Sequence, residues 1–381
     1  MADFFDYVKW RGDIKVSVDP VNKIDCLIFS WLSYIDMQGI VPSDNSAFAT
    51  VKKTADVFLK NNDIEKIMKE SNSFTKTAGL LLKECAASER FSLMRMFCHR
   101  NEIVTKIDSQ FSAVTVEAAP KTYIIAYRGT DEHLIGWKED FNMSFMNAVP
   151  AQEKALNYLS EIASKVRGKI YIAGHSKGGN LAVYAACKAK KNVRARIQKV
   201  YNFDGPGFMD ENVLGDGRND IFPKTEWFTP DESIVGAIMN DLSRFTIVKS
   251  SAKGVLQHDA GTWQVLGKDF VTANELKSVG KIFDETMRNW LRELSQADRE
   301  QFTETLFKML SANDAFTVDE INANLFKTFK GMFKKYLELD KEEKATLKKC
   351  ADSFFKEAQQ SIKKEGKLKN PVLNILEPKK S

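Results

Sequence analysis

The chain has 381 residues, 43% hydrophobic and 11% aromatic, enough for one large domain or for a catalytic domain with helical additions. Residues 341–381 hold 11 lysines against 6 acids, a difference equal to the whole net charge of +5, so the body before them is neutral and nucleic acid is not its expected partner. Five scattered cysteines with no Cys-x-x-Cys pair give neither a zinc site nor a disulfide framework, and point to reduced thiols in a cytoplasmic protein.

The opening MADFFDYVKWRGDIK carries charges throughout, so no cleaved secretory signal is expected. The most apolar run, Cys26 to Ile35, is far too short to span a bilayer. Residues 1–104 read as a helical region, with apolar residues at helical spacing over Ser46 to Leu59 and Thr77 to Phe97. Around Gln110 the texture changes. FSAVTVEA alternates apolar and polar, a Pro-Lys break follows, and TYIIAY completes a predicted hairpin. Ala151 to Val166 then places Ala155, Leu159, Ile162 and Val166 on one helical face. KIYIAG reads as a buried strand and Gly178 to Lys190 as a helix. IQKVYNFD, EWFTP and FTIVKS read as further strands. This alternation predicts an α/β class with a mostly parallel sheet over residues 105–270. From Val271 the β-pattern disappears. Residues 271–365 read as helical, with starts at Ser295, Thr317 and Asp340, and with an apolar stripe of Ile321, Leu325, Phe329, Met332, Phe333 and Tyr336. Residues 366–381 read as an irregular basic tail.

The sharpest motif is Gly174-His175-Ser176-Lys177-Gly178, a G-x-S-x-G sequence. By itself it arises often by chance. Here it stands where a predicted strand meets a predicted helix, the context that a nucleophile elbow requires. The turn is sharp enough for residues two before and two after the serine to crowd each other, so Gly174 and Gly178 suit it. The serine then stands at a helix N-terminus, where N–H groups favour developing negative charge.

A serine nucleophile needs a histidine base oriented by a carboxylate. Of His99, His133, His175 and His258, only His258 follows Ser176, as the chain order Ser, acid, His of this fold demands. His99 and His175 are assigned structural or surface roles. Asp231 is the favoured acid, because it lies one strand before the histidine in a long loop. Asp204 is second, because Gly-Pro-Gly after it reads as a structural turn. Asp220 and Asp241 are further options, and Asp259 adjoins the histidine that it would have to orient. For the oxyanion hole, one N–H is expected from Lys177. The other is expected from Thr130 in Arg128-Gly129-Thr130-Asp131, the end of the strand TYIIAY.

These segments resemble the class 3, fungal-type lipase branch of the α/β-hydrolases. The counterparts are IIAYRGTDE, GWKEDF, GHSKGG, YNFDGPGF, PDESIVG and QHDAGTW, and they cover about residues 105–270. The pattern is most similar to an uncharacterised bacterial family of lipase-like proteins. The resemblance implies an α/β-hydrolase fold, with Ser176 as nucleophile, Asp231 as acid, His258 as base, and Thr130 with Lys177 as oxyanion-hole residues. The sequence departs from the lipase pattern where Lys177 stands in place of leucine, where Val-Gly replaces Val-Pro after the acid, and where Asp204 replaces glycine.

The expectation is therefore a serine hydrolase cleaving an acyl ester without metal or organic cofactor. The competing expectation is a catalytically silent scaffold that binds a partner. Phe354, Phe355 and Ile362, set among lysines, are candidates for peripheral contact with an anionic membrane, against the plainer reading of a helix packed on the body.

Overall fold

The computed structural model of the chain describes residues 1–70, 75–311, 317 and 325–366. Eight strands form one sheet in plain sequence order: β1 Ala49–Thr50, β2 Arg95–Val104, β3 Ser109–Ala119, β4 Thr122–Tyr127, β5 Lys169–His175, β6 Ile197–Phe203, β7 Thr225–Pro230 and β8 Phe245–Val248. Strands β1 to β4 pair antiparallel, and β4 to β8 pair parallel. In the parallel part Tyr127 lies opposite Gly174, His175 opposite Phe203, and Phe203 opposite Phe228. The carboxyl ends of four strands thus finish at one edge, where an open α/β sheet collects its ligands.

Both faces of this sheet are covered. Val114, Val116, Ile124 and Ala126 point into one core, while Ala113, Ile125, Tyr127, Ile170 and Ile172 point into the other. The first core is closed by the N-terminal helices α1 Phe4–Arg11, α2 Lys23–Leu32, α3 Val51–Asn61 and α5 Ala78–Ala87, with α4 Ile64–Glu70 preceding α5. In α2 every residue from Ile24 to Leu32 is buried, and the helix lies across β4, β5 and β6. Arg90 and Asp25, both wholly buried, tie this layer together. Arg90 Nε donates to Asp25 Oδ1 at 2.8 Å, Tyr7 Oη donates to the same oxygen at 2.9 Å, and Arg90 Nη1 reaches the carbonyls of Ile14 and Asp19.

Two expectations for this region are corrected. Thr77 to Phe97 is not one helix: α5 stops at Ala87 and β2 begins at Arg95. Strand β2 hides its period, because the pairing register shifts between Phe97 and Arg100 and Cys98 takes a φ of 54°. A boundary after residue 104 also cuts between paired strands, since β2 and β3 are antiparallel neighbours. The N-terminal helices are one layer of the α/β fold itself.

On the other face lie α7 Pro150–Lys165 and α8 Lys177–Lys188, preceded by α6 Leu134–Asn142 and followed by the short α9 Lys191–Arg194 and α10 Gly217–Ile221. The C-terminal helices are α11 Ser278–Glu293, α12 Gln296–Leu310, α13 Leu325–Glu338 and α14 Lys341–Glu365. The expected starts at Ser295 and Asp340 form as capping boxes with Asp298 and Glu343. Of the expected start over Thr317 to Glu320 only Thr317 is described, and residues 318–320, the stripe residue Ile321 and the tail from residue 367 lie outside the described residues.

Helix α14 packs on α11 and α12. Trp290 Nε1 donates to Cys350 O at 2.8 Å, and its ring lies 5.5 Å from that of Phe354. Ile362 is buried as well, so of the three apolar residues considered for a membrane only Phe355 is exposed. Among the described residues no helix is long and apolar enough to cross a membrane. The mostly parallel sheet, covered by helices on both faces, has the α/β-hydrolase fold.

Candidate active site

Strand β5 runs straight into Ser176, whose φ of 58° and ψ of −135° are a conformation that an L side chain adopts only where its surroundings impose it. Two hydrogen bonds impose it here. Ser176 N–H donates to Phe203 O at 2.9 Å, and Gly179 N–H donates to Ser176 O at 2.8 Å. The flanking glycines are sterically required. A Cβ at Gly174 would lie 2.1 Å from the backbone C and O of Gly178, and one at Gly178 would lie 2.2 Å from Tyr127 O. Lys177 is the first residue of α8, so its N–H is among those with no acceptor inside the helix.

His258 closes a short 3₁₀ turn, Gly254–His258, in the segment after β8. Its Nδ1 lies 2.7 Å from Oδ2 of Asp204. Asp204 directly follows β6, is wholly buried, and also has a positive φ, 53°. Its other oxygen, Oδ1, accepts from the hydroxyls of Thr229 at 2.7 Å and Ser233 at 2.6 Å. The carboxylate is thereby fixed in orientation and its charge dispersed over two hydroxyl donors and the imidazole.

This geometry corrects the expected pairing of His258 with Asp231. The left-handed turn at Asp204 throws its side chain toward the histidine loop, and Thr229 and Ser233 hold it there. Asp231, at the end of β7, instead accepts from Gln257 Nε2 at 2.9 Å and lies 3.2 Å from Lys277 Nζ. Its link to the histidine is indirect, through the residue before it. Gln257 is itself fully buried, accepts from Glu232 N–H at 2.8 Å, and offers its carbonyl to Trp263 Nε1 at 2.8 Å. Asp259 faces away, accepting from Gly261 N–H, and burial pushes its carboxyl up to about 6.

His175, inside the motif, has the structural place expected of it. It is fully buried, and burial holds its imidazole well below the usual range, hence neutral. Its Nδ1 lies 3.0 Å from Tyr34 Oη and its Nε2 lies 2.8 Å from His258 O. One ring therefore joins the N-terminal layer to the backbone of the histidine loop. His99 is likewise buried, and burial lowers it to about 4.

Thr130 stands at the end of β4 beside the elbow, with its Oγ1 donating to Asp140 Oδ2 at 2.6 Å. Burial pushes the Asp140 carboxyl up to about 6, opposed by nearby Lys177 and by the Thr130 hydroxyl. The side chain of Lys177 turns away from the opening and into the body. Its Nζ lies 3.0 Å from Glu139 Oε2, with both side chains essentially unexposed. Glu139 is further satisfied by the N–H groups of Gln110 and Ala151. Glu139 and Asp140 both belong to the GWKEDF stretch, yet nothing in that run specifies a partner for Lys177. Thr229 and Ser233 likewise carry no motif.

Ser176, His258, Thr130, Lys177 and Asp140 line one cavity of ≈ 930 Å³. The rest of its wall is mainly apolar: Trp137 and Phe141 from α6, Ile238 and Met239 after β7, Met287, Trp290 and Leu291 from α11, and Phe302 from α12. The C-terminal helices therefore build much of the chamber onto which the serine opens. Phe141 and Phe307 meet at 5.5 Å and help seat α12 on α6.

A family model described as Mbeg1-like matches residues 85–308, more than half of the chain. No curated protein matches it. Among solved structures the chain is similar to M37 lipase, at 17% identity and a TM-score of 0.32, over 56% of this chain and 67% of that one. It is also similar to the native Rhizomucor miehei lipase propeptide complex, at 13% identity and a TM-score of 0.31, over 54% and 71% of the two chains.

Proposed function

This chain belongs to the Mbeg1-like family, and we propose that it is a serine hydrolase acting on acyl esters through Ser176, His258 and Asp204. The observation that carries the reading is the 2.7 Å contact of His258 Nδ1 with buried Asp204, on a histidine that shares one cavity with the elbow serine. In the proposed reaction Ser176 Oγ attacks the ester carbonyl while His258 Nε2 takes its proton. Asp204 holds Nδ1 protonated, which leaves Nε2 as the basic nitrogen. The carbonyl oxygen, now negative, is met by the N–H groups of Thr130 and Lys177 at the helix N-terminus. His258 returns the proton to the departing alcohol. Water then repeats the sequence on the acyl-enzyme and frees the acid. Every step uses groups of this chain alone. Asp231 serves in this scheme as a positioning residue, acting through Gln257.

A fluorophosphonate probe tests the reading. It labels the wild-type protein and leaves Ser176→Ala unlabelled, and p-nitrophenyl octanoate turnover is lost in the same variant. A folded wild type that stays unlabelled, beside a control esterase that reacts, overturns the proposal.

A further inference from the structure

Among the described residues Arg299 forms no salt bridge, and it is set at the junction of two cavities. It lies in the first turn of α12 and lines the cavity that contains Ser176. It also lines a second cavity of ≈ 690 Å³, whose wall includes Ser144, Asn147, Gln152 and Gln296. Ser144 and Arg299 line both cavities, which makes the two spaces neighbours. Nη1 of Arg299 donates to the carbonyls of Leu291 at 2.8 Å and Leu294 at 2.6 Å, and these bonds clamp the guanidinium against the end of α11. Its Nε is buried with no hydrogen-bond partner among the described residues.

No carboxylate pairs with Arg299 among the described residues. The carboxylate of the adjacent Asp298 accepts from Lys349 Nζ at 2.7 Å and from the hydroxyl and N–H of Ser295. Partial burial lowers the guanidinium's affinity for its proton, and the nearby charge of Asp298 opposes that shift without reversing it. The other cation lining the first cavity, Lys177, is neutralised by Glu139. In the second cavity Arg299 is the one lysine or arginine of the wall, and the acid there, Asp210, accepts from Asn212 N–H. A preorganised, unpaired guanidinium beside an apolar chamber is suited to a ligand that is apolar at one end and anionic at the other.

We propose that the ester hydrolysed at Ser176 is an anionic amphiphile, with its apolar part in the first cavity and a phosphate or carboxylate bound by Arg299 at the entrance to the second. This inference rests on the hydrolase reading and adds the charge class of the substrate.

Three octanoyl esters that differ only in the alcohol test it: those of glycerol, glycerol 3-phosphate and glyceric acid. The wild type is expected to prefer at least one anionic ester over the neutral one by tenfold or more in kcat/KM, and the preferred anion identifies the group. Arg299→Gln should cut the anionic-to-neutral ratio about tenfold through KM, while Arg299→Lys should keep part of it. The ratio is internal to each variant, so partial loss of folded protein does not enter. An unchanged ratio in Arg299→Gln, or a wild type that favours the neutral ester, overturns the proposal. If no ester is turned over and Ser176 stays unlabelled, the hydrolase reading has failed separately. Calorimetry of octyl phosphate, octanoate and octanol on the wild type and Arg299→Gln then decides the anion site. Binding of either anion that is lost in the variant supports it, and equal binding by the two proteins removes it.

Discussion

The assignment of the acid is most exposed to test in Asp204→Asn. Oδ1 of Asp204 already takes two hydroxyls, from Thr229 and Ser233, while Oδ2 faces His258 Nδ1 at 2.7 Å. In the variant the amide oxygen keeps the two hydroxyl donors, so the NH2 group takes the place of Oδ2. A donor then meets Nδ1, and the ring is driven to carry its proton on Nε2, leaving no basic nitrogen for the serine. The same change in a serine protease triad lowers kcat about 10⁴-fold. A loss of about 10³–10⁴ is expected here, or roughly 4–5 kcal/mol of barrier. Asp231→Asn should behave differently. An amide oxygen still accepts from Gln257, and the partner lost is the half-exposed Lys277, a pair worth at most about 1 kcal/mol. Its kcat should fall less than about fivefold by that bound. The assay is kcat on p-nitrophenyl octanoate together with the fluorophosphonate labelling rate, with near-UV circular dichroism as the check on folding. If Asp231→Asn abolishes turnover while Asp204→Asn keeps a tenth or more, the geometric argument for Asp204 is refuted.

Other perturbations probe the ground around the elbow. Lys177→Leu restores the residue usual in lipases but leaves Glu139 charged and buried, so it should cost about 3–5 kcal/mol in urea unfolding. Adding Glu139→Gln should recover much of that loss, and additive costs would deny the coupling. Gly174→Ala places a Cβ 2.1 Å from the Gly178 backbone, so about 1–3 kcal/mol of stability and most of the labelling should be lost. Asp140 has a folded-state carboxyl raised from 3.8 to about 6, so the folded protein binds the extra proton between those values. Stability from this group is fully present below about pH 4 and is lost as pH rises through 6. Asp140→Asn should therefore improve the Tm at pH 7 relative to pH 4 when compared with the wild type, and a Tm difference unaltered by the substitution would contradict the assignment.

The parts of the site that were legible in the sequence are those set by local sterics. The elbow needs small residues at fixed offsets between a strand and a helix, and Gly174 to Gly178 record that directly. His258 was legible for a different reason, since chain order left a single histidine after Ser176. The acid was not legible, because Asp204 and Asp231 each follow a strand. The choice between them depends on a left-handed turn at Asp204 and on hydroxyls 25 and 29 residues away. Strand β2 escaped because its register shift at Phe97 to Arg100 breaks the two-residue period by which strands are recognised.

Lys177 shows how a motif departure can mislead about where specificity resides. Read as a letter, a lysine beside the nucleophile places a charge at the oxyanion hole. In the fold its ammonium is spent inside the body on Glu139, which also takes the N–H groups of Gln110 and Ala151, and the proposed oxyanion role falls to its backbone N–H alone. The pair braces β3, α6, α7 and the start of α8 against one another, and it adds little polarity to the chamber. The chamber's character comes instead from Met287, Trp290, Leu291, Phe302 and Arg299, all on α11 and α12, beyond the segments that carry the lipase resemblance. On the proposed reading, reaction type and substrate are written in different parts of the chain. The strand ends would set the chemistry through a few sterically forced positions, and the added helices would select the ligand through wall composition, which has no fixed spacing and leaves no motif. Substitutions on α11 and α12 should accordingly change which ester is taken before they change how it is cleaved, and Arg299 is where that separation is sharpest.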